Sequence, residues 1–183
     1  MDLAAELAAI QDHLGRVLEY VRSTQEPPFV PIWNELPVHP EKRYNERLLT
    51  DIEQIVIHHV GVDAEVSPER TAEYHVKTKD WPGIGYHFYI RTDGRAYQTQ
   101  PLETVSYHCG GECNRVSVGI CLEGSFMDHE PPPAQLEATK RVIEWLWLES
   151  IISHVDTFVG HREIRQTACP GNTWPKWKEK ILP

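Results

Sequence analysis

The sequence lacks any apolar run of about 18 residues, the length that a membrane-spanning helix needs. It also lacks a basic excess, because 18 Lys and Arg stand against 27 Asp and Glu, a formal net charge of −9 at pH 7. A protein that holds nucleic acid through phosphate contacts carries a positive surface. The sequence therefore predicts neither a membrane span nor a nucleic-acid partner.

The sequence has few cysteines and lacks the features of a secretory signal peptide. Four cysteines in 183 residues are too few for a domain built on disulfides. Charged residues run through the first 22 positions, which is unlike a secretory signal, so we expect cytoplasmic synthesis without a signal peptide. Cys109 and Cys113 either form a local bridge or stay free, and a reducing compartment favours free thiols.

A heptad pattern predicts the first helix. Six apolar residues follow one another at spacings of 4, 3, 4, 3 and 4: Leu3, Leu7, Ile10, Leu14, Val17 and Val21. This is the a/d seam of three heptads, so we predict one helix over residues 2–22 and assign residues 1–24 to it. A stripe this narrow favours self-association, as a homo-oligomer, or docking on a partner. The alternative is a helix laid against its own domain.

Prolines then separate this helix from the main domain. Pro27, Pro28 and Pro31 end the helix, because proline removes a hydrogen-bond donor and biases the preceding residue towards extended conformations. We assign residues 25–46 to a linker and an irregular arm that packs Trp33 on the domain.

From residue 47 onwards, short β-rich runs alternate with helical patterns. Strands are predicted over residues 54–59, 85–91, 96–99, 117–122 and 157–159. Helices are predicted over residues 68–79, 134–150 and 174–182. This alternation predicts one α/β domain over residues 47–183, with a single mixed β-sheet flanked by helices.

Histidines and a cysteine end two of these elements. His58 and His59 close the apolar strand, and only one of them can face a common site because side chains alternate along a strand. His161 and Cys169 lie eight positions apart at the end of a second element. Two imidazoles and one thiolate predict one zinc ion, held by His58, His161 and Cys169, with its fourth position open.

Four groups of short motifs lie in a specific order over residues 47–183. They are Ile55-Val56-Ile57-His58-His59; Gly83 to Phe88 with Asp93 to Tyr97; Tyr107-His108 with Asn114 and Ser117 to Ile120; and Gly160 to Glu163 with Ala168 to Gly171. Together they resemble the zinc-dependent N-acetylmuramoyl-L-alanine amidases, which include phage lysozyme-type amidases and peptidoglycan recognition proteins. The resemblance implies a mixed sheet with flanking helices and a zinc ion at the bottom of a groove that holds a muramyl peptide.

Residue by residue, the resemblance implies the same three zinc ligands and makes His59 a supporting neighbour behind the metal. It implies that Tyr86 is the catalytic tyrosine. Thr167 stands where the phage enzymes commonly have lysine, but some catalytically active recognition proteins share the threonine. Thr167 is therefore expected to assist catalysis through a neutral hydrogen bond. His108 matches a histidine at the groove wall and is expected to contact substrate, the alternative being a solvent-exposed loop histidine.

The activity implied is hydrolysis of the amide bond between N-acetylmuramic acid and L-alanine in bacterial peptidoglycan. The resemblance implies an endolysin-type enzyme that acts on the cell wall after release. The alternative is a peptidoglycan-binding protein that does not cleave, although family members of that kind typically lack the cysteine ligand. A structural zinc would need a fourth protein ligand, and His59 is the only candidate for it.

Overall fold

Six strands form one mixed sheet in the computed structural model of the protein, which describes residues 7, 10–17, 26–149, 151 and 158–182. The strands are β1 (Val30–Pro31), β2 (Gln54–His59), β3 (Phe88–Ile90), β4 (Ala96–Gln98), β5 (Ser117–Leu122) and β6 (Phe158–Gly160). Their spatial order is β1-β4-β3-β5-β2-β6. Among these strands, β3 and β4 pair antiparallel and the other neighbours pair parallel, so the predicted mixed sheet is confirmed.

Five α-helices flank or follow the strands in the described residues. They are α1 (Pro68–Lys77), α2 (Glu112–Val116), α3 (Pro133–Leu148), α4 (His161–Ile164) and α5 (Trp174–Trp177), with 3-10 turns at Leu49–Asp51 and Lys178–Ile181. Helix α1 begins where Ser67 accepts a hydrogen bond from the backbone of Arg70 and Pro68 takes the first helical position. The predicted strand over residues 85–91 is shorter in the structure, where it spans Phe88–Ile90, and the backbone N–H of Gly85 donates instead to Nδ1 of His75 at 3.0 Å.

The central strands are buried on both faces. Ile55 and Ile57 of β2 pack in one apolar cluster with Val142 and Leu146 of α3. A second cluster joins Ala72 of α1 to side chains from β3 and β5. Since successive side chains of a strand point to opposite faces, His58 lies on the α1 face and His59 on the α3 face.

The stretch assigned to linker and arm packs into the domain over residues 29–36. Phe29 stacks edge-on against Phe88 and Trp145, with ring centroids 5.0 and 4.8 Å apart. Val30 pairs with Tyr97 of β4, and Ile32 and Leu36 are buried while Trp33 is half-buried. Two-residue pairing of this kind has no alternating pattern, which is why the sequence does not predict β1.

Residues 10–17 are helical, in agreement with the heptad pattern, and the rest of the predicted helix apart from Leu7 lies outside the described residues. The four seam side chains that are described, Leu7, Ile10, Leu14 and Val17, expose 44% to 56% of their surface. These four side chains are therefore exposed, and none of them belongs to either core cluster. No helix in the described ranges has both the length and the apolar character to cross a membrane.

Candidate metal centre

Neighbouring parallel strands carry two histidines to the same edge of the sheet. Ile57 of β2 lies opposite Gly160 of β6, so the residues that follow them, His58 and His161, lie side by side at the carboxyl ends of the two strands. His161 is also the first residue of α4. The two imidazole rings are 4.6 Å apart between centroids, which places them beside one another although they are distant in sequence.

A turn after α4 returns Cys169 to these histidines. The backbone N–H of Arg162 donates to the carbonyl of Cys169 at 2.6 Å, which fastens the turn to the helix. Gly171 has a φ of +115°, and a Cβ there would lie 2.2 Å from the carbonyl oxygen of Phe126. Only glycine fits that position, because the left-handed conformation and the close backbone both exclude a side chain.

The three ligand atoms lie close enough together to share one metal ion. Ligand atoms of His58, His161 and Cys169 all lie within 4.8 Å of one another, and Nδ1 of His58 is 3.6 Å from Sγ of Cys169. Bond lengths of about 2.0 Å to nitrogen and 2.3 Å to sulfur predict a separation of about 3.5 Å on a tetrahedron. His58 is buried and the other two are half-buried, so the cluster opens to solvent on one side. The donor set suits zinc with one position left for substrate or water.

Burial sets the charge of these ligands. It raises the pKa of the Cys169 thiol to about 12. The backbone N–H of His59, which donates to Sγ at 3.4 Å, has the smaller, opposite effect of lowering that pKa. Burial also lowers the pKa of His58 well below its usual value, and the nearby His108 and His161 add to this effect. At neutral pH the cluster has neutral imidazoles and a thiol that ionises when a cation is bound.

His59 points away from the cluster. Its Nδ1 accepts a hydrogen bond from the backbone N–H of Phe126 at 3.2 Å, on the α3 face of the sheet. Burial lowers the pKa of His59 to about 4, so the ring is neutral. His59 supports the site through its backbone contact to Cys169 and supplies no fourth ligand.

The phenol of Tyr86 stands beside the ligand His58. Their rings are 5.3 Å apart between centroids, and the backbone carbonyl of Tyr86 is held by the hydroxyl of Thr99 at 2.8 Å. Burial raises the pKa of Tyr86 well above its usual value, and Cys121 and Cys169 add to the shift. Tyr86 therefore keeps its proton, and its hydroxyl group lies beside the thiol of Cys121.

Thr167 lies in the exposed turn before the cysteine. Its hydroxyl oxygen accepts a hydrogen bond from the backbone N–H of Cys169 at 3.2 Å. The oxygen thus shapes the turn that presents the thiol, and the hydroxyl hydrogen can be donated to another group.

His108 is not a solvent-exposed loop residue, because only 8% of its surface is accessible. Its Nδ1 lies 3.0 Å from Nε2 of His58, and its Nε2 lies 3.3 Å from the hydroxyl oxygen of Ser117. Both ring nitrogens are therefore within hydrogen-bonding distance of protein atoms, and one of those atoms belongs to a candidate metal ligand.

Comparison with known proteins identifies the family. A family model described as N-acetylmuramoyl-L-alanine amidase matches residues 48–172. The chain belongs to this amidase family. The predicted family is thereby confirmed, as the six-strand mixed sheet with its helices confirms the predicted fold.

The relatives of this amidase-family chain include enzymes and recognition proteins. Peptidoglycan recognition protein 1 of Bos taurus is 26% identical over 148 residues, which is 73% of this chain and 78% of the relative. The solved structure of N-acetylmuramoyl-L-alanine amidase LysC from Clostridium intestinale URNW is 34% identical, with a TM-score of 0.63, and the match covers 79% of this chain and 93% of that one. The Ph2119 endolysin from Thermus scotoductus MAT2119 bacteriophage Ph2119 is 29% identical, with a TM-score of 0.69, over 85% and 99% of the two chains.

In this member of the amidase family, two side chains without a role in the sequence analysis hold the loop that carries His108. Oδ1 of Asn114 accepts hydrogen bonds from the backbone N–H groups of His108, Cys109 and Gly110 at 3.1, 2.9 and 2.8 Å. Arg165 donates to the carbonyls of Cys109 and Gly110, each at 2.9 Å. Arg165 thus joins the His108 loop to the turn that carries the cysteine ligand. Asn114 belongs to the sequence motif, whereas nothing in the sequence singles out Arg165.

The same loop of the amidase domain is closed by a disulfide between Cys109 and Cys113, whose Cα atoms are 5.8 Å apart. The expectation of two free thiols is therefore wrong. That expectation rests only on a reducing cellular compartment. In the structure, the turn through Gly110 and Gly111, both with positive φ, brings the two cysteines together.

A buried arginine, Arg47, holds the backbone that follows the loop closed by the disulfide. Arg47 donates hydrogen bonds to the backbone carbonyls of four residues: Leu102, Asn114, Arg115 and Ser117. Burial lowers the pKa of Arg47 to about 10, which still leaves the guanidinium charged at neutral pH. A lone arginine between two irregular segments carries no sequence signal for such a role.

Proposed function

We propose that this protein is a zinc-dependent peptidoglycan amidase that hydrolyses the amide bond between N-acetylmuramic acid and L-alanine of the stem peptide. The observation that carries the proposal is the convergence of His58, His161 and Cys169, with 3.6 Å between Nδ1 of His58 and Sγ of Cys169. A zinc ion held by these residues supplies Lewis acidity, which polarises a carbonyl group and activates water near neutral pH.

The residues around the ligands would act on the scissile amide. Tyr86 keeps its proton and donates a hydrogen bond to the carbonyl oxygen on which negative charge develops. Thr167 adds a neutral donor in place of a cation. The oxygen of a water molecule bonds to the lactyl carbonyl carbon and the C–N bond breaks. The protons of that water pass to the amine of L-alanine, and the lactyl group is left as a carboxylate.

The alternative is a peptidoglycan-binding protein that does not cleave its ligand. The similarity to Bos taurus peptidoglycan recognition protein 1 supports this alternative. The complete set of three ligands, with Tyr86 next to it, favours the enzyme. We further propose an endolysin-type role, with synthesis in the cytoplasm and action on the cell wall after release, which the similarity to the Ph2119 endolysin supports.

Digestion of purified peptidoglycan is expected to release new L-alanine amino termini at a rate that depends on zinc. Removing the metal with a chelator should lower this rate by at least about 100-fold, because a Lewis acid contributes several kcal/mol of transition-state stabilisation and each 1.4 kcal/mol is tenfold. Amino termini are measured by labelling and mass spectrometry. Zinc should restore the rate and magnesium should not. Sedimentation of the protein with peptidoglycan, without any new amino termini, would favour the binding protein.

Self-association through residues 2–22 is a separate part of the proposal. The exposed seam residues Ile10 and Leu14 should pack between two copies of the helix. Replacing both with lysine is expected to reduce the mass measured by light scattering to that of a single chain. The matched control is Asp12→Asn with Arg16→Gln, which removes an exposed ion pair of 2.9 Å outside the seam and should leave the mass unchanged. A wild-type protein that already has the mass of one chain would contradict self-association.

A further inference from the structure

We propose that His108 and Ser117 are positioning residues, which hold the ligand His58 through a hydrogen-bond chain of fixed direction so that its Nδ1 is free to bind the metal. The contacts are 3.0 Å between Nε2 of His58 and Nδ1 of His108, and 3.3 Å between Nε2 of His108 and Oγ of Ser117. The inference rests on the proposed function only in taking His58 as a metal ligand.

Metal binding by Nδ1 of His58 determines the direction of the first hydrogen bond, between His58 and His108. Nδ1 of His58 is the ring nitrogen that lies 3.6 Å from Sγ of Cys169. A nitrogen that binds a metal carries no proton, so the single ring proton of neutral His58 is on Nε2. That proton can only be donated towards His108, whose Nδ1 therefore accepts it.

The rest of the chain follows from this assignment. With Nδ1 of His108 as acceptor, the proton of the neutral ring is on Nε2, and it is donated to the hydroxyl oxygen of Ser117. The hydroxyl of Ser117 in turn donates to the backbone carbonyl of Cys113. Every donor meets an acceptor, and one arrangement of protons satisfies the whole chain. Partners of this kind orient metal-binding imidazoles and raise their affinity for the ion.

The surrounding structure holds the His108 ring in place. A Cβ on Gly119 of β5 would lie 2.7 to 3.0 Å from three atoms of that ring, so the strand needs a glycine beneath it. The backbone of His108 is fixed from the other side by Asn114, and the loop is closed by the disulfide between Cys109 and Cys113. A ring held on both sides suits orientation of His58 better than the predicted contact with substrate.

Two substitutions of His108 separate its role as an acceptor from its bulk. His108→Phe fills the space but accepts no hydrogen bond, and His108→Asn places an amide oxygen near the position of Nδ1. We expect His108→Phe to weaken zinc binding by about 10- to 100-fold, the usual cost of losing a partner behind a metal ligand. His108→Asn should recover most of that loss, and Ser117→Ala should show a smaller loss than His108→Phe. Affinity is measured by competition with a chromophoric chelator, and circular dichroism confirms that each variant is folded.

A second readout tests the direction of the chain. In the zinc-loaded wild-type protein, two-bond ¹H–¹⁵N spectra should show His58 bound through Nδ1 with a proton on Nε2, and His108 with its proton on Nε2. Unchanged zinc affinity in His108→Phe, or a proton on Nδ1 of His108, would overturn the inference. Neither measurement uses substrate. A protein with the expected affinities but no amide cleavage would therefore overturn the proposed function and still support the positioning role.

Discussion

Cys169→Ala is expected to abolish amide hydrolysis and to weaken zinc binding by more than about 100-fold. The loss should exceed the roughly 10- to 100-fold cost of removing a residue that only supports a ligand, because a sulfur ligand itself is lost. Two imidazoles would remain, too few for the three-ligand site of a catalytic zinc. Zinc content is measured by elemental analysis after dialysis, and activity by the release of L-alanine amino termini.

The matched control for this prediction is Cys121→Ala. Cys121 and Cys169 are the two free cysteines among the described residues, and Cys121 is buried in β5 beside the Tyr86 hydroxyl but is not one of the three ligands. Its zinc content should equal that of the wild type. If Cys169→Ala kept full zinc content and activity, the ligand assignment would be wrong. If Cys169→Ala still sedimented with peptidoglycan, loss of one ligand would have turned the enzyme into a binding protein.

Tyr86→Phe is expected to lower kcat by about 100- to 1,000-fold, the usual effect of removing one donor that stabilises an oxyanion. The substitution removes a hydroxyl group and leaves the ring against His58, so zinc affinity and KM should change little. Steady-state kinetics on a soluble muramyl peptide, with zinc content measured in parallel, checks this split.

Tyr89→Phe is the control, because Tyr89 is a buried tyrosine whose hydroxyl donates to the carbonyl of Val66 at 2.5 Å. This variant should lose about 1 kcal/mol of stability, the net contribution of one hydrogen bond. Its kcat should be that of the wild type. An unchanged kcat in Tyr86→Phe would remove Tyr86 from the mechanism and leave Thr167 as the candidate donor, with Thr167→Val as its test.

The sequence predicts those parts of the molecule that have an apolar run, a regular alternation of side chains or a marked end of a strand or helix. The apolar run before His58 marks β2, and strand alternation separates His58 from His59, which the structure places on opposite faces. Strand β1 has no such signal, because two residues that pair with β4 show no alternation.

The support of the site could not be read from the sequence for a different reason. Arg47 and Arg165 donate hydrogen bonds to backbone carbonyls of segments distant in sequence. Every residue has a backbone carbonyl, so the residue type of the acceptor does not reveal such a contact. The position of His108 depends on Gly119 of β5, which leaves room for the ring, and on the turn that the Cys109–Cys113 disulfide closes. Contacts of this kind appear only when the chain is folded.

The ligands also join parts of the chain that are far apart in sequence. His58 is the second-last residue of the inner strand β2, whereas Cys169 follows β6, an edge strand that pairs over three residues, and the two ligands are 111 positions apart. A metal ion between them would act as a cross-link across a long loop. Closing a loop of about 100 residues restricts the unfolded chain by up to about 5 kcal/mol in the chain-entropy relation. The same ion that serves the reaction would therefore fasten the last strand of the sheet to its interior.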